Sequence, residues 1–426
     1  MQRYAKKNLF AVFAVFAVFA VQFFADPCGR FTRLKVTEIM NTIIVTKRGA
    51  DRIRRGHLWI YRSDILNAEE AEGGSIVIVR DQGRNFVGQA LFSDTSQIAL
   101  RFLTQTEETI DREWWRKRIL AAAARRGSLT SDTNACRLVY SEGDLLPSLI
   151  VDRYDDVIVL QTLSQGTENI KSLLVELLVE QFRPLAVIER NDVRVRQHEG
   201  LEMIAATVYG QAPGEFEIVQ DGIRFVVAPL SGQKTGSFLD QRENRLAARA
   251  VAHGRALDCC TFNGAFALNL AGVCDSVVGI DISAEAIQAA RRNAELNNAT
   301  NVEFREANVF DALREMETAG ERFDTIVLDP PAFAKNRASI KAAARGYKEI
   351  NLRAIKLLNP GGILVTCSCS YHMSEQMFLG LIAEAANDAH RRLQLVEKRT
   401  QASDHPILFA VPETYYLKCV LARVLD

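Results

Sequence analysis

The 426-residue sequence lacks the features that identify several common classes of protein. Its formal net charge at pH 7 is zero, from 52 basic and 52 acidic residues, so any surface that binds nucleic acid must be a local one. The eight cysteines follow no regular framework and the six histidines form no pair at metal-ligand spacing, which argues against a disulfide scaffold and against a metal site. This composition predicts a protein of a reducing, cytoplasmic compartment.

The sequence also lacks the glycine-rich loop of dinucleotide-binding proteins. An apolar run ends at Asp258 and is followed by a turn, a helix and a second apolar run that ends at Asp281, but only Gly264 remains of the G-x-G-x-x-G pattern. In doubly wound sheets the crevice at the carboxyl ends of the strands binds a nucleotide, and an acid on the second strand accepts both ribose hydroxyls. Asp281 is therefore a candidate ribose ligand, and the neighbouring strands must indicate which nucleotide is bound.

From residue 233 onward, apolar runs and helical patterns alternate regularly. This alternation predicts parallel strands that end at Asp258, Asp281, Asn308, Asp329 and Ser370. Two further extended runs, at 393–398 and 415–424, are joined by a loop too short for a crossover helix, so they should pair antiparallel. Five parallel strands with a terminal hairpin are the ground plan of class I S-adenosylmethionine-dependent methyltransferases, and the hairpin argues against a dehydrogenase.

The chain upstream of this region predicts two smaller modules. Short β-like runs between residues 42 and 103 are punctuated by glycines and predict a small β-barrel. A basic amphipathic helix at 111–126 follows, and then an α+β block with a hairpin across Asp221-Gly222 that carries no catalytic constellation. Basic clusters at 47–62 and around Trp114 and Trp115 fit solvated faces and RNA contact equally well.

The first 40 residues differ from the rest of the chain. A short basic segment precedes an apolar run from Leu9 to Val21, which resembles a signal peptide or a short membrane anchor. However, the run is a repeat of Ala-Val-Phe triplets, and Phe23 stands where a small residue is needed before a cleavage site. We expect a low-complexity extension outside the fold, with Met40 as the true start.

Asp329 begins the sequence Asp-Pro-Pro-Ala-Phe at the end of the fourth predicted strand. The two prolines lack backbone donors and favour an extended residue before them, so they hold the Asp329 carboxylate at the strand tip beside the crevice. A Pro-Pro turn is also common as simple punctuation. An acid at this edge of the sheet nevertheless indicates a functional role.

Cys367 and Cys369 lie on the fifth predicted strand, where period-2 alternation places both on one face, with Cys369 at the carboxyl end near Asp329. Carbon 5 of a pyrimidine is not nucleophilic enough to take a methyl group from a sulfonium, but a thiolate that adds to carbon 6 converts the ring to an enamine. This addition needs a proton donor or a hydrogen bond at cytosine N3, and Asp329 is the nearest candidate. We predict Cys369 as the nucleophile and Cys367 as an inert apolar residue.

Six stretches of the chain together form a specific combination of motifs. They are GQKTGSFLDQRENR from Gly232 to Arg245, DPPAF from Asp329, RGYKEIN from Arg345, Ser368-Cys369-Ser370, Asp404-His405-Pro406 and Tyr416-Leu417-Lys418. This combination resembles the bacterial and archaeal ribosomal RNA cytosine-C5 methyltransferases that carry an N-terminal PUA domain. The resemblance runs from about residue 41 to the C-terminus. It implies a PUA-like RNA-binding domain at 41–107, a helical linker at 108–135, a central α+β domain at 136–230 and a seven-stranded, Rossmann-like methyltransferase domain at 231–426.

The resemblance also implies S-adenosylmethionine as cofactor and large-subunit ribosomal RNA as substrate. It places the catalytic cysteine at Cys369, the acid of the fourth motif at Asp329 and the ribose-binding acid at Asp281. The residues expected to line the cofactor crevice are Thr235, Asp258, Phe262, Gly264, Phe266, Asp281, Ile282, Asn308 and Asp329. Those expected to contact RNA are Arg54, Arg55 and Trp59 of the motif that opens the PUA-like domain. Asn308 stands where an Asp is common in the family, and an Asn there is also suited to cap the next helix.

The predicted function is methyl transfer from S-adenosylmethionine to carbon 5 of a cytosine in large-subunit ribosomal RNA, through a covalent adduct between Cys369 and carbon 6. A guanine-nitrogen methyltransferase on the same scaffold is an open alternative, since the Asp329-Pro330-Pro331 turn would suffice and Cys369 would only pack. A non-catalytic RNA-binding ribosome assembly factor is another. A homodimer is compatible with the sequence, and no stable membrane partner is expected.

Overall fold

The computed structural model describes residues 41–68, 70–127, 132–230, 232, 236–334 and 337–426, without the side chain of Arg337. The predicted extension at 1–40 and one predicted cofactor contact, Thr235, therefore lie outside the described residues. Residues Asn41–Asp426 form a single unit, so the predicted domain boundaries at 107, 135 and 230 stay predictions. None of the helices in the described ranges is both long and apolar enough to cross a membrane.

The PUA-like region is a six-stranded sheet around a small apolar core. Its strands are β1 (Thr42–Val45), β2 (Trp59–Tyr61), β3 (Ile65–Asn67), β4 (Ile76–Asp81), β5 (Phe86–Phe92) and β6 (Ile98–Thr104), in the order β2-β6-β5-β4-β1-β3. Alternate residues of β1 and β4 point inward, which buries Ile43, Val45, Val77 and Val79 completely. Helix α1 (Lys47–Arg54), capped by the Thr46 side chain on Gly49 N, was not predicted.

The central region consists of a second sheet and three α-helices. It comprises α2 (Arg112–Ala124), β7 (Ala135–Tyr140), β8 (Leu149–Tyr154), β9 (Val157–Thr162), α3 (Gln165–Asn169), α4 (Lys171–Phe182), β10 (Ala186–Arg190) and β11 (Ala205–Gly210). Trp114 and Trp115 of α2 are buried in its core, and Arg112 pairs with two glutamates of α4. The basic cluster around the tryptophans is thus a packed helix with a solvated face. The hairpin β12 (Phe216–Gln220) and β13 (Ile223–Val227) turns at Asp221-Gly222, which confirms that prediction.

The C-terminal region is a doubly wound, seven-stranded sheet. Its elements are α5 (Arg242–Val251), β14 (Arg255–Cys259), α6 (Ala265–Ala271), β15 (Ser276–Asp281), α7 (Ala284–Leu296), β16 (Val302–Glu306), α8 (Val309–Thr318), β17 (Phe323–Leu328), α9 (Ile340–Leu357), β18 (Leu358–Ser368), α10 (Glu375–Asp388), β19 (Leu393–Arg399) and β20 (Lys418–Val424). The strand order is β16-β15-β14-β17-β18-β20-β19. β14 to β18 are parallel, while β20 is antiparallel to β18 and β19. The five parallel strands and terminal hairpin are confirmed.

Two strands end two residues earlier than predicted, while β14 and β17 end within one residue of the predicted positions. β16 ends at Glu306, and Asn308 already caps α8. β18 ends at Ser368, so Cys369 lies beyond the strand, where the alternation of the strand no longer fixes the direction of its side chain. The prediction that both thiols lie on one face of the strand was wrong, because the strand ends one residue before Cys369. Between β14 and β17 the strand order reverses, and this switch point opens the crevice in which doubly wound sheets bind ligands.

Candidate active site

The loop that follows β14 has an unusual backbone. Cys260 and Phe262 have φ angles of 62° and 52°, and Gly264 has 83°. Residues other than glycine seldom adopt such angles, and when they do they cluster at functional sites. At Gly264, a Cβ atom would lie 3.0 Å from the Phe304 ring, so this position requires glycine. The loop is thereby turned sharply at the mouth of the crevice.

Asp281, at the end of β15, faces this loop. One of its carboxylate oxygens accepts a hydrogen bond from the backbone N–H of Phe262 at 2.9 Å, and the other from Ser283 at 3.0 Å. Each carboxylate oxygen keeps a further lone pair, so the group can accept two hydroxyl donors from a ligand. The next residue, Ile282, leaves 69% of its surface exposed beside the carboxylate. The two predicted cofactor contacts therefore lie side by side, with Asp281 as a polar group and Ile282 as an exposed apolar group.

Asp258 lies deeper in the same crevice and is completely buried. Its Oδ2 atom accepts hydrogen bonds from the Thr261 hydroxyl at 2.6 Å and from Ala267 N at 2.9 Å, while its Oδ1 atom has no partner among the described residues. Burial raises the pKa of Asp258 to about 7. Buried polar atoms almost always have a partner in a complete complex. The lone Oδ1 therefore marks a place for a donor group of a ligand.

Asp329 follows β17 on the other side of the switch point. Its Oδ1 atom accepts a hydrogen bond of 2.9 Å from the Gln241 side chain. Gln241 is held in turn by the Asn244 amide at 2.7 Å, and Asn244 also donates to the Thr400 carbonyl. This chain of amides fixes the orientation of the Asp329 carboxylate.

Cys369 is partly exposed and sits in a turn that is fixed from three directions. The Ser370 hydroxyl accepts from Ala334 N at 3.1 Å and lies 3.0 Å from the Tyr347 hydroxyl of α9. The ammonium group of Lys418 in β20 donates to the Ser370 carbonyl at 2.7 Å. The turn thus joins the Asp-Pro-Pro-Ala-Phe loop, α9 and β20 around the thiol.

Lys418 lies against the turn that carries Cys369, whereas Cys367 lies in the core. Lys418 is 3% exposed, and its burial lowers its pKa to about 8, while the charge of the nearby Cys369 opposes this shift. Cys367 is fully buried opposite Cys419 on β20, and the Cys419 side chain together with burial raises its pKa well above the usual range. Cys369 therefore has a cationic neighbour and solvent access, whereas Cys367 has neither solvent access nor an accessible thiolate.

Arg245 was quoted in a motif but assigned no role from the sequence. It is buried, its burial lowers its pKa, and it donates to the Phe238 carbonyl at 2.8 Å. The Phe238 ring lies edge-on to the Phe262 ring, with 5.0 Å between the ring centres, so the segment that ends at Phe238 is fixed against the loop that follows β14. Phe266 is buried, with the Arg245 guanidinium 5.9 Å from its ring centre. Its side chain belongs to the core beneath the crevice.

Asn308 is exposed, and its side-chain oxygen accepts from Phe310 N at 2.9 Å. This is a helix cap, the alternative that the sequence left open. Contact of Asn308 with adenine stays a prediction.

The three residues predicted to bind RNA have different surroundings. Arg54 pairs with Asp81 at 2.6 Å and with Asp51 at 3.2 Å. The Trp59 indole is partly buried and donates to Glu142 at 2.9 Å, which joins the PUA-like sheet to the central region. Arg55 is exposed, and its side chain makes no hydrogen bond or ion pair with another described residue. Arg55 is therefore the more available of the two cations.

Comparison with known proteins gives a consistent result. A PUA-like domain family matches residues 43–105, and a methyltransferase domain family matches residues 251–408. The chain is 42% identical over 392 residues to a Shewanella frigidimarina protein named ribosomal RNA large subunit methyltransferase I, covering 89% of this chain and 99% of that protein. A protein of the same name from Tolumonas auensis is 40% identical, covering 90% and 99%.

Solved structures share the fold. A putative methyltransferase, SMU.776, complexed with SAH superposes with a TM-score of 0.79 at 19% identity, covering 90% of this chain and all of that one. A putative SAM-dependent methyltransferase from Streptococcus mutans gives 0.77 at 19% identity, with the same coverage. The architecture is thus that of class I methyltransferases with an N-terminal PUA-like region.

Proposed function

The chain belongs to the ribosomal RNA large subunit methyltransferase I family, and from this premise we propose that it methylates carbon 5 of a cytosine by nucleophilic catalysis at Cys369. The coarser activity follows from family membership: the protein is an S-adenosylmethionine-dependent methyltransferase of large-subunit ribosomal RNA. The base, the atom and the covalent step are our proposal. The proposal also includes the cytoplasmic location that the cysteines predict.

The crevice fits the cofactor in three respects. The unpartnered Oδ1 of Asp258 suits an amino donor, the remaining lone pairs of Asp281 suit two ribose hydroxyls, and the loop between them is held in a sharp turn by the packing of Gly264 against Phe304. When bound there, S-adenosylmethionine supplies a methyl group made electrophilic by its sulfonium. Asp281 and Asp258 bind and orient, and the Phe238–Phe262 contact closes one side of the crevice.

The observation that carries the proposal is the position of Cys369. The thiol is partly exposed on a fixed turn at the edge of the sheet where Asp329 follows β17, and the buried ammonium group of Lys418 lies against that turn. A nearby cation lowers the pKa of a thiol, and the thiolate is the attacking species. A methyltransferase that acts on an exocyclic or ring nitrogen needs no such thiol.

The proposed reaction assigns a step to each side chain. The Cys369 thiolate forms a bond to carbon 6 of the cytosine while N3 receives a proton from the Asp329 carboxyl group in its acid form. Carbon 5 then becomes nucleophilic and takes the methyl group, whose bond to the sulfonium would break to leave a neutral thioether. A base removes the carbon 5 proton, the bond between sulfur and carbon 6 breaks, and N3 returns its proton. Gln241 keeps the Asp329 carboxylate in the orientation this transfer needs.

Analysis of the methylated product tests the proposal. Ribosomal RNA from cells that lack the enzyme is incubated with isotope-labelled S-adenosylmethionine and wild-type, Cys369→Ala or Cys367→Ala protein, and the nucleosides are identified by mass spectrometry. We expect labelled 5-methylcytidine from wild type and Cys367→Ala, and none from Cys369→Ala. Labelled methylguanosine, with full activity in Cys369→Ala, would instead support the guanine-nitrogen alternative, for which Asp329-Pro330-Pro331 would suffice.

A further inference from the structure

The loop between β19 and β20 runs from the methyltransferase sheet past the central region to the PUA-like sheet, and contacts fix it at the central region and at the PUA-like sheet. At its start, the Asp404 carboxylate accepts from Arg137 N at 2.9 Å and its carbonyl accepts from Arg126 at 2.7 Å, both in the central region. Further along, Leu408 and Val411 pack in the apolar core of the PUA-like sheet. The loop therefore holds a defined conformation between the two domains.

The tip of this loop presents an aromatic ring to solvent. Residues 408–411 form a tight turn in which Val411 N donates to the Leu408 carbonyl at 2.8 Å, and Leu408 N donates to the Thr414 hydroxyl at 2.9 Å. Phe409, inside this turn, is fully exposed at 101% relative accessibility. Burial of a phenyl ring stabilises a folded protein, but Leu408 and Val411 already occupy the core on either side. The exposed Phe409 ring therefore adds no burial energy to the isolated chain.

The turn after α1 contacts this loop and carries an exposed cation, Arg55. Ala410 touches the turn after α1, since a Cβ atom at Gly56 would lie 3.0 Å from the Ala410 Cβ atom. Phe409 and Arg55 are each one residue from this contact, and Arg55 is exposed without an ion pair to a described residue. An exposed aromatic ring beside a cation is how proteins bind single-stranded nucleic acid, because the ring stacks on a base and the cation meets the phosphates.

We propose that Phe409 is a stacking platform for an unpaired base of the RNA substrate, with Arg55 contacting the adjacent phosphate backbone. This inference rests on the proposed function only in taking RNA as the substrate. A duplex offers no free base face, so the site selects single-stranded segments. Arg55 lies within residues 43–105, which the PUA-like family matches, whereas Phe409 lies outside them and adds a contact from the methyltransferase part of the chain.

The test measures binding of the full chain to a fluorescein-labelled single-stranded RNA and to the same sequence as a duplex, by anisotropy over a salt series without S-adenosylmethionine. The variants are Phe409→Ser, Phe409→Trp, Arg55→Gln and, as matched control, Leu66→Ser, which removes another exposed apolar side chain of 51% accessibility. Phe409 packs against no core, so its replacement leaves the fold unchanged.

We expect Phe409→Ser to weaken single-strand binding by about 5-fold to 150-fold, the effect of losing one stacked base. Phe409→Trp should retain affinity, and Leu66→Ser and duplex binding should be unaffected. Arg55→Gln should lower the salt slope by about one, whereas Phe409→Ser should leave it unchanged.

Wild-type affinity in Phe409→Ser would overturn the inference. So would a loss of affinity that accompanies dissociation of a dimer in sedimentation velocity, because Phe409 would then contact a second copy of the chain. The binding assay is independent of methyl transfer. If the product assay fails to give 5-methylcytidine while Phe409→Ser still weakens RNA binding, the proposed reaction is wrong and the stacking platform stands.

Discussion

Replacement of Asp281 provides a quantitative check on the cofactor site. The carboxylate is fixed by backbone donors from Phe262 and Ser283, at 2.9 and 3.0 Å, and we assign its remaining lone pairs to two ribose hydroxyls. A hydrogen bond to a charged acceptor is worth about 1.5 to 3 kcal/mol. Water replaces part of this when the carboxylate is removed, so we expect Asp281→Ala to weaken cofactor binding by about tenfold to a hundredfold.

Asp281→Asn separates this effect from loop disorder. The amide oxygen of Asn can still accept from one backbone donor, but the charge is gone, so we expect a loss of about tenfold. Isothermal titration with S-adenosylhomocysteine measures the affinity, and thermal unfolding without ligand shows whether the loop survives. Asp311→Asn, an exposed acid of the same domain with 63% side-chain accessibility, is the control and should bind as wild type. Wild-type affinity in both Asp281 variants would refute the assignment.

Three further outcomes follow from the same site. Because burial raises the pKa of Asp258 to about 7, the folded state binds this proton more tightly than the unfolded state, and the resulting stability is lost as the pH rises from about 4 to 7. Asp258→Asn should therefore remove up to about 4 kcal/mol of the pH dependence of the unfolding free energy in denaturant titrations. An unchanged pH profile would contradict a buried acid at this position. Gln241→Leu should lower kcat by about tenfold or more with little change in cofactor affinity, since it only orients Asp329; equal activity would remove this positioning role. Lys418→Met should slow alkylation of Cys369 by iodoacetamide at pH 7 by about tenfold, with Cys369→Ala as background, and an unchanged rate would show that the ammonium group does not stabilise the thiolate.

The strand ends that carry acids were predictable from the sequence. Asp258, Asp281 and Asp329 each follow a buried apolar run, and parallel strands bring their carboxyl ends to one edge of the sheet. The limits of the same reasoning appear at Asn308 and Cys369. Both lie beyond the strands to which periodicity assigned them, because apolar alternation does not show where pairing stops.

Other features depend on contacts between distant parts of the chain. Gln241 reaches Asp329 across 88 positions, and Arg245 acts through a backbone carbonyl, so neither leaves a local pattern. The left-handed conformations of Cys260 and Phe262 are imposed by packing around the loop, since neither residue type favours them. Helix α1 was missed because it is short and carries few apolar residues, with Ala50 and Ile53 on its buried face.

The central claim is that Cys369 attacks carbon 6 of a cytosine, and trapping of the adduct tests it most directly. RNA transcribed with 5-fluorocytidine cannot lose its carbon 5 substituent as a proton, so the bond between sulfur and carbon 6 persists after methyl transfer. The account predicts a denaturant-stable protein–RNA complex that requires S-adenosylmethionine, forms with wild type and Cys367→Ala, and yields a tryptic peptide modified at Cys369. A complex that forms equally in Cys369→Ala, or a catalytically active wild type that forms none, would contradict it.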